Sequence, residues 1–293
     1  MAATQGEGNC ARSSVGFISL TDLGAGTYQG FAGGLYPNGL NRPPDPYLQA
    51  GMAATQMIQP VNGAGQPDPR GKIVLLSVGV SNAATEFGEF KRFTDADPEK
   101  NPQVVIVNGA QGGANALSVA RPDSRFWSGL RERLAGAQVT EQQVQVVWLK
   151  EAIAGERGPF PTDAQRLQET LRAIVQILEQ RFPNLRIVYL SNRTYGGYAT
   201  TRLNPEPFAY ESGFVVKWLI EARIHGPIRG SWLAWGPYLW TDGTKGRSEG
   251  LVWECQDVRA DGTHPSPSGV RKVGMPLLNL FKTHPTATPW YRP

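Results

Sequence analysis

Short apolar runs alternate with stretches of helical periodicity from residue 72 onward. The apolar runs cover residues 72–78, 103–108, 144–149 and 186–190. Runs of this length, rich in Val, Ile and Leu, are typical of strands buried on both faces of a parallel sheet. Helices are predicted from Thr162 to Phe182, just ahead of Pro183, and again after Pro267. The alternation predicts an α/β fold in which helices cover both faces of a parallel sheet.

The N-terminal segment has a different pattern. Residues 1–70 are rich in Gly, Pro and small polar residues and show little periodicity, which is typical of loops. Its aromatic residues include Tyr28, Phe31, Tyr36 and Tyr47. They argue against free disorder, because disordered segments are poor in aromatic residues. We expect residues 1–70 to form a loop-rich extension that wraps over a core domain of residues 71–293. Whether the extension forms one wall of a cleft stays open.

A carboxylate and an imidazole stand on one short segment near the C-terminus. The sequence Asp261-Gly-Thr-His264-Pro265 lies just ahead of the last predicted helix. An aspartate three residues before a histidine can accept a hydrogen bond from the ring Nδ1–H, which leaves Nε2 free to act as a base. The pattern therefore indicates a nucleophile elsewhere in the chain.

The candidate nucleophile is Ser81. The predicted strand 72–78 leads directly into Gly79-Val80-Ser81-Asn82. In open α/β sheets, reacting groups gather at the carboxyl ends of the strands, so Ser81 and His264 can meet in one cleft. The segment is not a G-x-S-x-G nucleophile elbow, because Ala83 stands where the second glycine is required.

These motifs resemble the SGNH (GDSL-type) hydrolase superfamily, whose members carry a serine after the first strand and a D-x-x-H-P near the end. The resemblance covers residues 72–282, and the Asp261 to Gly269 block is its strongest part. It implies a three-layer α/β/α sandwich with a flavodoxin-like parallel sheet and a triad of Ser81, His264 and Asp261. The segment 107–112 matches the family's glycine block, which implies an oxyanion hole formed by the N–H groups of Ser81 and Gly112.

The sequence departs from the family pattern after the third predicted strand. The family places an asparagine there as a further oxyanion donor, whereas this chain reads Lys150-Glu151-Ala152. The Lys150 ammonium is a candidate replacement, since a cation stabilises a developing oxyanion strongly. The alternative is a solvent-facing lysine at the end of a strand, and both interpretations stay open.

Candidate substrate-binding residues follow the later strands. The segment from Trp232 to Gly243 is unusually aromatic, and flat rings can contact sugar, acyl or aryl groups. Core packing is an equally good interpretation of this segment. We expect Tyr238 and Trp240 to be more exposed than Trp232. Arg193 and Tyr195, after the fourth predicted strand, are further candidates for substrate contacts.

Composition and charge exclude several functional classes. The 293 residues carry a formal net charge of +4 that is spread without a Lys/Arg block, so no nucleic-acid-binding surface is predicted. No apolar run approaches the length of a membrane span. The chain has no H-E-x-x-H motif and no cysteine cluster, so we expect neither a catalytic metal nor another cofactor.

The two cysteines bear on the cellular compartment. Cys10 and Cys255 stand at opposite ends of the sequence, and one disulfide between them would attach the extension to the segment before Asp261. Two unpaired thiols are the alternative. The first residues lack the basic and apolar regions of a signal peptide. We expect a secreted or periplasmic protein whose signal peptide is absent from this chain, with a cytoplasmic location left open.

The resemblance implies a serine esterase that needs no cofactor. Its substrate is expected to be a small-molecule or carbohydrate ester with a short acyl group, such as acetyl on a sugar. A non-catalytic carbohydrate-binding or scaffolding protein on the same fold is one alternative, which the missing asparagine favours. An acyltransferase that uses the same nucleophile is another.

Overall fold

The computed structural model describes residues 9–155, 158–226 and 230–293, so residues 1–8 of the predicted extension lie outside the described residues. In chain order, the helices and strands are α1 (Leu20–Leu23), β1 (Thr27–Tyr28), β2 (Phe31–Ala32), α2 (Asp45–Gln56), β3 (Ile73–Gly79), α3 (Ser81–Asp95), β4 (Val104–Val107), α4 (Ala116–Val119), α5 (Arg125–Gly136), β5 (Val144–Lys150), α6 (Thr162–Arg181), β6 (Ile187–Leu190), α7 (Phe208–His225), β7 (Trp232–Trp235), α8 (Pro267–Thr283) and α9 (Thr288–Tyr291).

Five parallel strands form the central sheet, in the order β4-β3-β5-β6-β7. Numbered within the sheet, this order is 2-1-3-4-5, the flavodoxin-like order. The predicted fold class is therefore confirmed, and the four predicted strands lie within a residue or two of their expected positions. The fifth strand, β7, falls in the aromatic segment that we did not assign as a strand.

Helices cover both faces of the sheet, which makes a three-layer α/β/α sandwich. On one face, α3 packs against α8, and the Phe87 ring stacks on Trp148 of β5 with ring centroids 5.5 Å apart. The Phe90 ring of α3 contacts Phe281 of α8 at 5.3 Å. On the other face, α6 packs against α7. Among the described helices, none is long and apolar enough to cross a membrane.

The N-terminal segment packs along β7 at the edge of the sheet. The N–H groups of Trp232 and Gly236 donate to β6 and its flank, so the Leu233 carbonyl between them faces away from the sheet. The Tyr47 hydroxyl donates to this Leu233 carbonyl at 2.7 Å. The Trp235 indole donates to the Leu35 carbonyl, also at 2.7 Å. Tyr47 lies in α2, a twelve-residue helix within a segment that we expected to be loop-rich.

A disulfide joins the two ends of the described chain. Cys10 and Cys255 are bonded, with their Cα atoms 5.3 Å apart and a sequence separation of 245 residues. Next to the bridge, Asp242 accepts hydrogen bonds from Ser14 Oγ at 2.6 Å and from the Val15 N–H at 2.6 Å. The start of the extension is therefore attached covalently and by hydrogen bonds to the segment that precedes Asp261.

Reduction of this disulfide is expected to lower the melting temperature. The bridge closes a loop of nearly the whole chain, and the chain-entropy model allows a stabilisation of up to about 5 kcal/mol for a loop of this length. Calorimetry with and without dithiothreitol measures the effect, and the Cys10→Ser/Cys255→Ser variant, which should not respond to reductant, is the control. Alkylation of both thiols in the native, unreduced protein would contradict the bridge.

Candidate active site

Ser81 lies at the carboxyl edge of the sheet, where β3 turns directly into α3. It is the first residue of α3, two residues after Gly79. Gly79 allows a close approach, because a Cβ there would lie 2.4 Å from the Ala83 Cβ and 2.5 Å from the Lys150 carbonyl oxygen. The turn is therefore held tightly against the end of β5, and Ser81 lies on a rigid element.

The structure brings Ser81, His264 and Asp261 together in one hydrogen-bonded chain. Ser81 Oγ lies 2.9 Å from His264 Nε2, and His264 Nδ1 lies 2.5 Å from Asp261 Oδ2. The Asn82 side-chain amide donates to the Thr263 carbonyl at 2.9 Å, which ties the serine turn to the histidine loop. The short distance to the Asp261 carboxylate places a proton on Nδ1, so in the neutral imidazole Nε2 faces the serine hydroxyl as an acceptor.

Asp261 is held in its ionised form. Its Oδ1 accepts the backbone N–H groups of Thr263 at 3.0 Å and His264 at 2.9 Å. Burial alone would raise the pKa of Asp261, but the hydrogen bonds from the His264 ring and from these two N–H groups outweigh burial and lower it. The carboxylate can therefore orient the imidazole and stabilise its protonated form.

A cavity of about 290 Å³ opens beside Ser81 and His264. The end of β5, the loop after β4 and the loop after β6 form its walls. These walls contain Val80, Asn82, Gly113, Ala114, Asn115, Lys150, Glu151, Ala152, Ala154, Arg193, Thr194, Leu203, Asn204 and Thr263. The volume suits a short acyl group, and many of the lining side chains are polar.

The glycine block reaches the cavity, although one residue later than expected. Gly112, our predicted oxyanion donor, is exposed and is not in the cavity wall, whereas Gly113 is. Gly113 has φ of +79°, a conformation that favours glycine over residues with a side chain. The sequence analysis assigned the oxyanion donor to Gly112, whereas the structure has Gly113 in the cavity wall.

Lys150 lines the cavity and is not a surface lysine. It is 3% exposed, and its Nζ lies 2.6 Å from both carboxylate oxygens of Glu86, itself fully buried in α3. Burial lowers the pKa of Lys150, while the Glu86 carboxylate favours the charged form. The surface interpretation is therefore wrong. The ammonium is committed to an ion pair inside the protein.

Glu151 and Arg193 add two ionisable side chains to the same cavity. Glu151 is 4% exposed, and its Oε1 is buried without a hydrogen-bond partner among the described residues. Burial raises the pKa of Glu151 to about 8. Burial lowers the pKa of Arg193 to about 10, although Glu206 and Glu151 oppose this. Arg193 thus lines the cavity as predicted, with its guanidinium donating to the Leu203 carbonyl.

Stability is expected to fall as pH rises because of Glu151. Its folded pKa of about 8 lies above the ordinary value of 4.5, so between these two pH values the folded state keeps a proton that the unfolded state has lost. Glu151→Gln should therefore gain stability over wild type progressively through this window and no further above it. Urea unfolding across the window measures the difference, with the exposed Glu132→Gln as control. Parallel wild-type and Glu151→Gln curves would contradict the prediction.

The aromatic residues predicted to bind substrate lie outside the cavity beside Ser81. Tyr238 is 5% exposed and Trp240 fully buried, against 4% for Trp232, so the expected difference in exposure is wrong. Neither these residues nor Tyr195 lines the cavity beside Ser81.

The polar atoms of these aromatic side chains form hydrogen bonds inside the protein. Tyr238 Oη accepts the Leu20 N–H at 3.0 Å, and Tyr195 Oη donates to the Arg12 carbonyl at 2.8 Å. The Trp240 indole donates to Glu206 Oε1 at 2.8 Å. Two of the three rings therefore anchor the N-terminal extension. None of the extension's described residues reaches the cavity wall.

Three residues of the site were missed in the sequence: Glu86, Asn115 and Glu151. Glu86 had a signal, because it stands between Ala83 and Phe90 at helical spacing and so on the inner face of α3. An acidic residue on such a face indicates a buried partner. Asn115 and Glu151 had no comparable signal, since loop and strand ends commonly carry polar residues.

Within the described residues, no group of three or more His, Cys, Asp and Glu side chains is arranged to hold a metal ion. No family model matches the sequence, and no curated protein matches it.

Several solved structures are similar to the chain at low sequence identity. The periplasmic domain of a lipopolysaccharide acetyltransferase from Salmonella Paratyphi A is 14% identical, with a TM-score of 0.44 over 82% of this chain and 96% of that one. A Bacteroides fragilis protein provisionally described as an acylhydrolase is 11% identical, with a TM-score of 0.42 over 79% and 93%. A salicylyl-acyltransferase from a tetracycline biosynthetic pathway is 14% identical, with a TM-score of 0.38 over 75% and 58%. All three are remote likenesses.

Proposed function

We propose that the chain is an SGNH-type serine esterase that hydrolyses short-chain acyl esters. The observation that carries the proposal is the chain of hydrogen bonds from Ser81 Oγ through His264 to Asp261 beside a cavity. A serine, an imidazole base and an orienting carboxylate at these distances form the constellation used for acyl transfer. A merely structural histidine would have no need of a serine hydroxyl at its free nitrogen.

The reaction proceeds in two halves. In the first, His264 Nε2 takes the hydroxyl proton as Ser81 Oγ bonds to the ester carbonyl carbon, whose π electrons move to the carbonyl oxygen. The tetrahedral intermediate then collapses and expels the alcohol, which takes the proton from His264. In the second half, His264 takes a proton from water as the water oxygen bonds to the acyl carbonyl carbon. The second tetrahedral intermediate then releases the acid as the bond to Ser81 Oγ breaks, and Ser81 Oγ takes the proton back from His264. The Ser81 N–H and an N–H of the Gly112–Gly113 turn are the proposed backbone donors to the oxyanion.

A polar ester of small acyl size is the proposed substrate, with an acetylated carbohydrate as first choice. The cavity volume of about 290 Å³ supports a short acyl group rather than a long chain. Glu151 Oε1 and Asn204 Oδ1 are buried in its walls without partners in the described structure, and they suit hydroxyl donors of a sugar. The disulfide supports a secreted or periplasmic location, because such bonds persist in oxidising compartments.

Labelling with a fluorophosphonate probe and peptide mapping tests the proposal. Modification of wild type at Ser81, slowed when excess p-nitrophenyl acetate is present during labelling, is the expected result. An unlabelled wild-type protein that still binds carbohydrate would overturn the esterase and favour the non-catalytic alternative. Adding a sugar alcohol during turnover separates hydrolysis from acyl transfer, since a transferase forms the new ester in preference to free acid.

A further inference from the structure

The end of β5 provides no side-chain amide to the cavity. Lys150 directs its ammonium to the two oxygens of Glu86. The next residue, Glu151, accepts the Ala152 N–H at 3.3 Å through Oε2. Ala152 itself has no polar side chain. The end of β5 therefore supplies no neutral side-chain donor to an oxyanion, because its one cationic side chain, Lys150, is paired with Glu86.

A different loop reaches the end of β5. The chain between β4 and α4 crosses to β5, where the Ala116 N–H donates to the Ala152 carbonyl at 2.9 Å. This backbone bond places the preceding residue, Asn115, beside the end of β5. Asn115 lines the same cavity as Ser81 and His264. Asn115 therefore lies at the end of β5 and in the wall of the cavity that Ser81 and His264 also line, although it precedes β5 by about thirty positions in the sequence.

The orientation of the Asn115 amide follows from its bonds to α4. Its Oδ1 accepts the N–H groups of Leu117 at 3.0 Å and Ser118 at 3.3 Å. Ser118 Oγ in turn accepts the Asn115 N–H at 3.1 Å. Two N–H donors can be met only by the amide oxygen, so the Oδ1 and Nδ2 positions are not interchangeable. Nδ2 consequently points away from these donors, and it has no hydrogen-bond partner in the described parts of the chain.

We propose that Asn115 Nδ2 donates a hydrogen bond to the oxyanion that forms when Ser81 attacks the substrate carbonyl. The inference rests on the proposed esterase function. The capping bonds fix the amide before substrate arrives, so little reorganisation is needed as negative charge develops on the carbonyl oxygen. The bond strengthens as the carbonyl π electrons move to oxygen, and it therefore favours the transition state over the bound ester.

Two substitutions separate this role from helix capping. Asn115→Ser and Asn115→Asp both keep a good N-cap oxygen for α4 but remove the amide donor. We expect each to lower kcat for p-nitrophenyl acetate by about 10²–10³ with little change in KM, as for loss of one oxyanion donor. Asn115→Asp should lower kcat at least as much as Asn115→Ser, because a carboxylate repels the oxyanion. The affinity for phenylboronic acid, which forms a tetrahedral adduct with an active serine, should weaken in parallel.

The matched control is Ser118→Ala, which removes half of the capping interaction but keeps the Asn115 amide and its Oδ1 acceptor bonds. It should lower the melting temperature slightly and leave kcat within about threefold of wild type. If wild type turns over and labels at Ser81 while both Asn115 variants keep kcat and boronate affinity, the Asn115 inference alone is overturned. If wild type neither turns over nor labels, the esterase proposal itself fails.

Discussion

Ser81→Ala is expected to abolish ester hydrolysis while leaving the fold intact. The side chain supplies the attacking oxygen and contributes little packing, so circular dichroism and the melting temperature should stay close to wild type. Loss of the nucleophile of a serine triad lowers kcat by several orders of magnitude, on the order of 10⁴-fold or more. His264→Ala should lower kcat by a comparable factor, since Ser81 then has no base to take its proton. Steady-state kinetics with p-nitrophenyl acetate measures both variants.

Ser128→Ala is the matched control for these variants. Ser128 is exposed on α5 and donates to the Arg125 carbonyl, away from the cavity. It should keep wild-type kcat and fluorophosphonate labelling. A loss of no more than about tenfold in Ser81→Ala or His264→Ala would defeat the mechanism, because triad members act as a unit whose removal costs far more.

Lys150→Met is expected to destabilise the protein strongly. The substitution leaves Glu86 fully buried without its partner, and breaking a buried ion pair in this way costs about 3–5 kcal/mol. Urea unfolding measures this loss. The double variant Lys150→Met/Glu86→Leu removes both charges and should recover most of the stability, because apolar replacement of a whole buried pair is often close to neutral. A cost below about 1 kcal/mol for the single variant would contradict the prediction.

The same double variant decides what Lys150 does in the reaction. Because Glu86 balances the ammonium, we expect the cavity to gain little net positive potential from the pair, and kcat in the folded double variant should stay within about tenfold of wild type. A fall of about 10²–10³ in kcat at unchanged KM would instead support Lys150 as an oxyanion donor. The single variant cannot separate these outcomes, since its loss of stability also lowers activity.

The sheet and the hydrogen-bonded residues Ser81, His264 and Asp261 could be predicted because their signals are local. Buried parallel strands are continuous apolar runs, so β3, β4, β5 and β6 stand out in the sequence. Asp261 and His264 form their contact within one turn of the chain. Ser81 was identified because carboxyl ends of parallel strands share one edge of a sheet, which holds for any such fold.

The other contacts of the site join segments that are far apart in the sequence, and no local pattern predicts which segments meet. Lys150 and Glu86 are separated by 64 positions, and either alone looks like an ordinary polar residue. The Tyr238 ring looked available to a ligand because one of its partners, the Leu20 N–H that donates to Tyr238 Oη, stands 218 positions away in the N-terminal extension. The pairing of Cys10 with Cys255 stayed open for the same reason, since sequence does not reveal that the two ends of the chain lie together.

The N-terminal extension also covers β7, the strand at one edge of the sheet. An outer strand with free carbonyl and N–H groups is a template on which a strand from a second molecule can form, and this is a common route to ordered aggregates. In β7, the outward carbonyl of Leu233 already accepts the Tyr47 hydroxyl, and the backbone at Leu35 is held alongside by the Trp235 indole. An incoming strand would have to displace these contacts along with α2. The extension therefore protects this edge of the sheet against self-association.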